Sequence, residues 1–328
     1  MKLAILGGGS WGTALAITLA PRFDEVRLWV FEKDLAGRLG ASRENDVFLP
    51  GFRLPENVQV TSDLGGAAGA EIVLGVMPSR HARAVYSAAA PYLDPSMIFV
   101  SATKGLERDT LLRVSEVMEQ VLPFRAKIAV LSGPTFAREV ARGEPAAIVI
   151  ASGEEAVAAA VQRAFSGPCF RLYTNSDMIG VEIGAALKNV IAIGAGVCQG
   201  LGLGNNTLAA LITRGLAEIT RLAVAMGGQA RTLAGLAGLG DLVLTCSGEL
   251  SRNRRVGIEL AKGRSLADIV GSMAMVAEGV ETCSAAAALG VKFGVDLPII
   301  QQMHAVLHGG KNPREALRDL LERSLKSE

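Results

Sequence analysis

Lys188 is the side chain best placed to move a proton. It lies in Val181-Glu182-Ile183-Gly184-Ala185-Ala186-Leu187-Lys188-Asn189-Val190-Ile191-Ala192-Ile193-Gly194. On a helix its neighbours three and four residues away are Gly184, Ala185, Ile191 and Ala192, all uncharged and mostly small. A lysine so placed has no ion-pair partner on its own helix, and desolvation lowers its pKa toward the range of a working general acid/base. The alternative is a lysine that snorkels to the surface from a buried helix. Asp241, in Gly238-Leu239-Gly240-Asp241-Leu242-Val243-Leu244-Thr245-Cys246, is a lone carboxylate in an apolar stretch. A buried acid needs a partner, and the Lys188 ammonium would serve.

A second pattern points to an anion. In Ser251-Arg252-Asn253-Arg254-Arg255 the serine suits a helix N-cap, yet three arginines crowd the first turn, where the helix dipole disfavours cations. A phosphate there would be met by the serine, the free N–H groups and an arginine fork together. A solvated basic patch is the alternative.

A third pattern points to a dinucleotide. Gly7-Gly8-Gly9-Ser10-Trp11-Gly12 holds Gly-x-Gly-x-x-Gly directly after a strand-like run and before a helix-like one. Gly7 permits the tight turn, Gly9 the approach of a pyrophosphate, and Gly12 close helix–strand packing. Glu32 follows Gly12 by 20 residues, where an acid would meet a ribose diol. Later strand ends carry Val76-Met77-Pro78-Ser79, Ser101-Ala102-Thr103-Lys104-Gly105 and Leu131-Ser132-Gly133-Pro134-Thr135. Lys104 is the charged residue among them that sits at a turn. A nicotinamide enzyme acting on an alcohol needs a group to carry the hydroxyl proton, and Lys188 fills that place better than His81, His304 or His308. His304 and His308 are spaced for one helix face but lack a zincin carboxylate, so no metal is expected.

These residues require a sheet to present strand ends and helices to bury a lysine. Candidate strands are Leu3–Leu6, Val26–Val30, Val58–Thr61, Ile72–Met77, Met97–Ala102, Ile128–Leu131, Ala147–Ala151 and Phe170–Tyr173, separated by helix-like segments such as Trp11–Ala20, Ser79–Ala90, Thr110–Val121 and Glu154–Phe165. That alternation predicts a parallel sheet covered by helices on both faces. After Asp177 only helices are expected: Met178–Cys198, Asn206–Met226, Ser251–Ala261, Gly279–Ala288, Leu297–Leu307 and Pro313–Ser324. The fold class is α/β, a Rossmann-like doubly wound domain over 1–176 joined to an all-α domain over 177–328.

The chain of 328 residues is long enough for two such units, and half its residues are hydrophobic. With 33 basic against 32 acidic residues, no general nucleic-acid surface or polybasic membrane patch is expected. Cys169, Cys198, Cys246 and Cys283 form no Cys-x-x-Cys pair and read as reduced core residues. Met1-Lys2 leads straight into an apolar run, so no signal peptide is expected, and glycine and polar interruptions argue against a membrane span. A cytoplasmic protein is expected.

Over essentially its whole length the sequence resembles the bacterial NAD(P)-dependent glycerol-3-phosphate dehydrogenases. The resemblance runs through Gly7–Ala16, Ser101–Gly105, Leu131–Val140, Val181–Gly196, Asn206–Glu218, Gly235–Thr245, Ser251–Gly257 and Val276–Val280. It implies NAD(P)H-dependent reduction of dihydroxyacetone phosphate to sn-glycerol 3-phosphate for phospholipid synthesis, with the active site between the two domains. It implies Lys188 as proton donor/acceptor, with Lys104 and Asp241 completing the polar group around it. Gly133, Thr135, Ser251, Arg252 and Asn253 fall at positions that contact substrate. Ser10, Trp11, Phe31, Lys104, Ala137, Arg252, Val276 and Glu278 fall at cofactor positions, beside Gly7, Gly9, Gly12 and Glu32. Many members carry His or Arg where this chain has Phe31, which cannot bond a 2′-phosphate, so the balance between NADH and NADPH stays open. The resemblance is compatible with a homodimer, which composition does not decide.

Two rival readings differ in specific residues. β-Hydroxyacid dehydrogenases without a phosphorylated substrate also carry an interdomain lysine, but usually Asn four residues later, where this chain has Ala192. They would not need the arginine-rich site. A dinucleotide-sensing regulator would keep Gly7–Gly12 but would not require Lys188, Asp241 and Lys104 together.

Overall fold

The computed structural model describes residues 1–273 and 275–324. The chain opens as β1 (Lys2–Leu6), α1 (Ser10–Leu19), β2 (Glu25–Trp29), α2 (Lys33–Ser42), β3 (Glu44–Asn45), β4 (Leu49–Arg53) and β5 (Val58–Thr61). It continues through β6 (Ile72–Gly75), α3 (Ser79–Ala89), β7 (Ile98–Ser101), α4 (Val114–Val121), β8 (Lys127–Ser132) and α5 (Ala137–Ala141). Then come β9 (Ala146–Ala151), α6 (Glu155–Phe165) and β10 (Phe170–Asn175), the last strand among the described residues. Helices follow: α7 (Met178–Gly200), α8 (Asn205–Ala225), α9 (Ala230–Leu233), α10 (Asp241–Ser247), α11 (Arg252–Ala261) and α12 (Leu266–Gly271). The last three are α13 (Glu278–Phe293), α14 (Pro298–His308) and α15 (Pro313–Leu321).

Eight strands form one sheet in the order β10-β9-β8-β7-β6-β1-β2-β5, with β3 and β4 a separate hairpin. Successive residues of β1 enter different cores: Leu3 and Ile5 pack on one face, Ala4 and Leu6 on the other. Helices on both faces explain why this strand is an unbroken apolar run. The order reverses at β1, which pairs with β2 on one side and β6 on the other. Ligands of doubly wound sheets bind outside the carboxyl ends at such a reversal.

The sheet is not wholly parallel, which corrects the sequence reading. β8 and β9 run antiparallel, with Leu131 opposite Ile150, while β10 is parallel to β9. Ala146–Ala151 is buried over its last four residues, so its hydropathy is the same whichever way it points. The five-residue α5 is the regular element in the β8–β9 connection, which returns the chain beside β8 without a crossover across the sheet. Helix α4 also starts later than the predicted Thr110. Leu111 has φ of 62°, which a helix cannot hold, and α4 begins only at Val114, where the Arg113 N–H donates to Glu116 at 2.8 Å.

Helix α7 is the axis of the helical half. Every residue from Gly180 to Cys198 is buried, and the helix is long and apolar enough to cross a membrane by composition, at a mean hydropathy of 1.5. Here its partner is protein. α11 lies against it through glycines: a Cβ at Gly196 would meet the Arg254 carbonyl at 1.9 Å, and one at Gly257 the Ile193 carbonyl at 1.9 Å. This backbone contact brings the start of α11, with Arg252 and Asn253, to the middle of α7, with Lys188.

Candidate active site

Lys188 projects from the middle of α7 and is 5% exposed. It has no partner on its own helix, as its small neighbours require, and reaches instead to α10, where it donates to Asp241 Oδ1 and, at 2.9 Å, to Thr245 Oγ1. Asp241 is fully buried and divides its two oxygens: Oδ2 accepts from Lys104 at 2.9 Å. The loop after β7 supplies Lys104, whose ammonium also donates to the Gly133 carbonyl at 2.9 Å and to Thr135 Oγ1 at 3.2 Å. One carboxylate thus lies between two ammonium groups from two halves of the chain. Burial pulls the Lys188 ammonium down to about 7; Asp241 draws it upward and nearby Lys104 downward. A carboxylate shared in this way keeps two cations in a place that would otherwise expel them.

The residue after Lys188 sets the distance to α11. Asn189 donates to the Lys104 carbonyl at 3.1 Å and accepts from Asn253 Nδ2 at 2.9 Å. Asn253 Oδ1 in turn accepts the Gly279 N–H at 2.9 Å, in the first turn of α13. Both polar atoms of Asn253 are therefore engaged, and one amide hydrogen is left for a ligand. Ser251 caps α11 by accepting from the Arg254 N–H at 3.2 Å. The Arg252 guanidinium beside it is half-buried and makes no hydrogen bond or ion pair among the described residues. Burial lowers its pKa and Glu278 opposes that shift. Glu278 accepts from Ser79 Oγ at 3.0 Å, and burial pushes its carboxyl up to about 7. An unpaired guanidinium near the Lys188 group suits an anion.

The glycine turn lies at the sheet's reversal. Gly7, at φ 130°, would place a Cβ 2.7 Å from the Val76 carbonyl, and Gly12 would place one 1.8 Å from the Gly7 carbonyl. Both are glycine because the protein itself leaves no room. Gly9 differs. Its φ and ψ of −72° and −174° suit any residue, and a Cβ there would meet nothing within 4 Å. The protein itself does not need glycine at this position, which leaves the turn open on that side.

Models of the two halves of one family match the chain in order. "NAD-dependent glycerol-3-phosphate dehydrogenase N-terminus" matches residues 2–158, and "NAD-dependent glycerol-3-phosphate dehydrogenase C-terminus" matches 177–318. The chain belongs to the NAD-dependent glycerol-3-phosphate dehydrogenase family. It is 57% identical to glycerol-3-phosphate dehydrogenase [NAD(P)+] of Koribacter versatilis, over 98% of this chain and 97% of that protein. To the protein of the same name in Citrifermentans bemidjiense it is 54% identical, over 100% and 98%. Among solved structures, glycerol-3-phosphate dehydrogenase from Coxiella burnetii superposes with a TM-score of 0.95 at 40% identity, covering 98% of this chain and 99% of that one. A ketopantoate reductase from Ralstonia eutropha, at 19% identity and a TM-score of 0.60, shares the fold alone.

Of the other residues expected at cofactor positions, most lie near the sheet and Val276 lies in the helical half. Ser10 and Trp11 begin α1, and the buried Trp11 Nε1 has no hydrogen-bond partner. Phe31 is 75% exposed just past β2, its ring 6.1 Å from that of Trp29, and Glu32 is the exposed N-cap of α2. Ala137 starts α5 after the Gly133–Thr135 turn, and Val276 is half-buried just before α13. Gly133, at φ 151°, would drive a Cβ to 2.9 Å from Ile148, so close packing on β9 requires glycine there. Sequence reasoning singled out neither Thr245 nor Asn189. Both were legible as the polar residues nearest Asp241 and Lys188; what was missing was the α7–α10–α11 contact that joins them.

Proposed function

We propose that Lys188, held by Asp241 and Thr245, is the general acid of a glycerol-3-phosphate dehydrogenase acting on dihydroxyacetone phosphate. When bound, the nicotinamide cofactor supplies a hydride to the C2 carbonyl carbon; the Lys188 ammonium gives its proton to the C2 oxygen, and the product is sn-glycerol 3-phosphate. In the reverse direction neutral Lys188 takes the hydroxyl proton. Lys104 keeps the second oxygen of Asp241 occupied and holds positive charge beside the developing alkoxide. Arg252, with the Ser251 end of α11, binds the substrate phosphate, while the Gly133–Thr135 turn borders the same space. The glycine turn, Ser10, Trp11, Phe31, Glu32, Ala137, Val276 and Glu278 accommodate the dinucleotide, with Glu32 on the adenosine ribose. Residues through 176 form the dinucleotide unit and those after it the unit that carries Lys188.

The observation that carries this reading is the buried lysine at about 7, tied through Asp241 to a second lysine from the sheet edge. The near balance of charge supports small-molecule rather than nucleic-acid or membrane partners, and the burial of α7 supports its being a core helix and not a membrane span; a cytoplasmic location belongs to the same proposal. The active form is taken to be a homodimer. The test is oxidation of NADH and NADPH with dihydroxyacetone phosphate. Turnover supports the reading; cofactor binding without turnover would favour a dinucleotide sensor instead.

A further inference from the structure

The hairpin of β3 and β4 has no place in the chemistry above, yet it sends one fully buried polar side chain into the glycine turn. Asn45 Nδ2 donates to the Gly8 carbonyl at 2.8 Å and to Thr13 Oγ1 at 2.8 Å, while its Oδ1 accepts the Phe48 N–H at 3.0 Å. The reverse amide orientation would set oxygen against a carbonyl and nitrogen against an N–H, so the geometry fixes which end is which. Both amide hydrogens and the acceptor are used, at 0% exposure.

We propose that Asn45 is a positioning residue for the dinucleotide, holding the Gly8–Gly9 peptide in the one orientation that offers its N–H to the cofactor's phosphates. The proposal rests on the dinucleotide reading of the glycine turn. The peptide is trans, so its C=O and N–H point in opposite directions. With the carbonyl drawn back to Asn45, the Gly9 N–H faces away from the hairpin, and no backbone acceptor takes it. A Cβ built at Gly9 also meets nothing within 4 Å, so the turn is not closed over by the protein at this residue. A run of glycines resists rotation of its peptides only weakly, because no Cβ restricts φ. Gly8 itself is confined from the other side, since a Cβ there would lie 2.5 Å from Val30 Cγ2. Asn45 supplies the shorter of two bonds that restrain this carbonyl, the other being a 3.4 Å donation from Thr13 Oγ1, which Asn45 itself holds in place. A rotated peptide would turn the carbonyl toward the phosphates and leave a buried Asn45 N–H without an acceptor, both unfavourable.

The test compares Asn45→Asp, Asn45→Ala and Leu49→Ala. Asp keeps the shape but removes the N–H donors. Leu49 is buried opposite Asn45 in the hairpin, and its truncation weakens packing without touching Gly8. Binding of NADH is followed by its fluorescence, alongside steady-state kinetics and melting temperature. Asn45→Asp should raise the Kd for NADH at least tenfold, with the KM for dihydroxyacetone phosphate at saturating NADH within about twofold of wild type. Leu49→Ala should lower the melting temperature with Kd within about twofold. If Asn45→Asp does not fold, Asn45→Ala carries the test, since it removes the donors without burying a charge; its Kd should rise at least threefold. Folded Asn45 variants that bind NADH like the wild type would overturn the proposal, as would Leu49→Ala losing as much affinity as they do. A wild type that binds neither NADH nor NADPH would instead refute the dinucleotide reading.

Discussion

Asn253 donates its side-chain amide to Asn189 across 2.9 Å, and so joins the residue after Arg252 to the residue after Lys188. That hydrogen bond between buried amides ties the cation assigned to the phosphate to the lysine assigned to the proton. The glycine contacts of α7 with α11 make that bond possible.

Arg252 is the part of this arrangement open to the sharpest test. Arg252→Ala should cut kcat/KM for dihydroxyacetone phosphate roughly 10–100-fold, the loss of a charge-assisted bond of about 1.5–3 kcal/mol. Dihydroxyacetone without phosphate should be a poor substrate whose rate hardly changes. Equal damage to both substrates would move Arg252 to the cofactor or the fold.

Cofactor choice follows from the end of β2. Glu32 there repels a 2′-phosphate, Phe31 offers it no donor, and Arg38 is engaged by Asp46 at 3.3 Å, leaving Lys33 as the nearby cation. Both cofactors should work, with a slight preference for NADH in kcat/KM. An advantage for NADPH above about tenfold, some 1.4 kcal/mol, would show the Glu32 argument to be wrong.

The two kinds of glycine in the turn should separate by experiment. Gly9→Ala should fold with an unchanged melting temperature and lose cofactor affinity, because only the ligand needs that space. Gly12→Ala should be destabilised outright, since its Cβ would fall 1.8 Å from a backbone oxygen. A Gly9→Ala protein that binds NADH normally would contradict the reading of that space.

Much of this was legible in the sequence for identifiable reasons. Lys188 stood out because small apolar neighbours leave a lysine no partner on its own helix, and Asp241 because a lone acid in an apolar run needs a cation. The direction of β9 was not legible, because a strand buried on both faces has the same pattern either way. Asn45 was invisible because its partners Gly8 and Thr13 are more than thirty residues distant and its strand is two residues long. Asn253 was assigned to substrate from the resemblance, whereas its two polar atoms chiefly connect α7 to α13.

The pH dependence has a definite sign. With Lys188 as the proposed acid, reduction draws on its ammonium form, whose pKa burial brings to about 7. The kcat for ketone reduction should therefore fall as pH rises through about 7, approaching tenfold per unit. Oxidation of glycerol 3-phosphate needs the neutral amine and should rise over the same range. Reduction with no decline up to pH 9 would point to a different acid.

The most direct measurement is kcat for dihydroxyacetone phosphate reduction by Lys188→Ala, with its NADH affinity measured alongside. Loss of a general acid predicts a fall of roughly 10²–10⁴-fold with the affinity for NADH little changed. A folded Lys188→Ala protein that binds NADH and turns over at a near-normal rate would contradict the account.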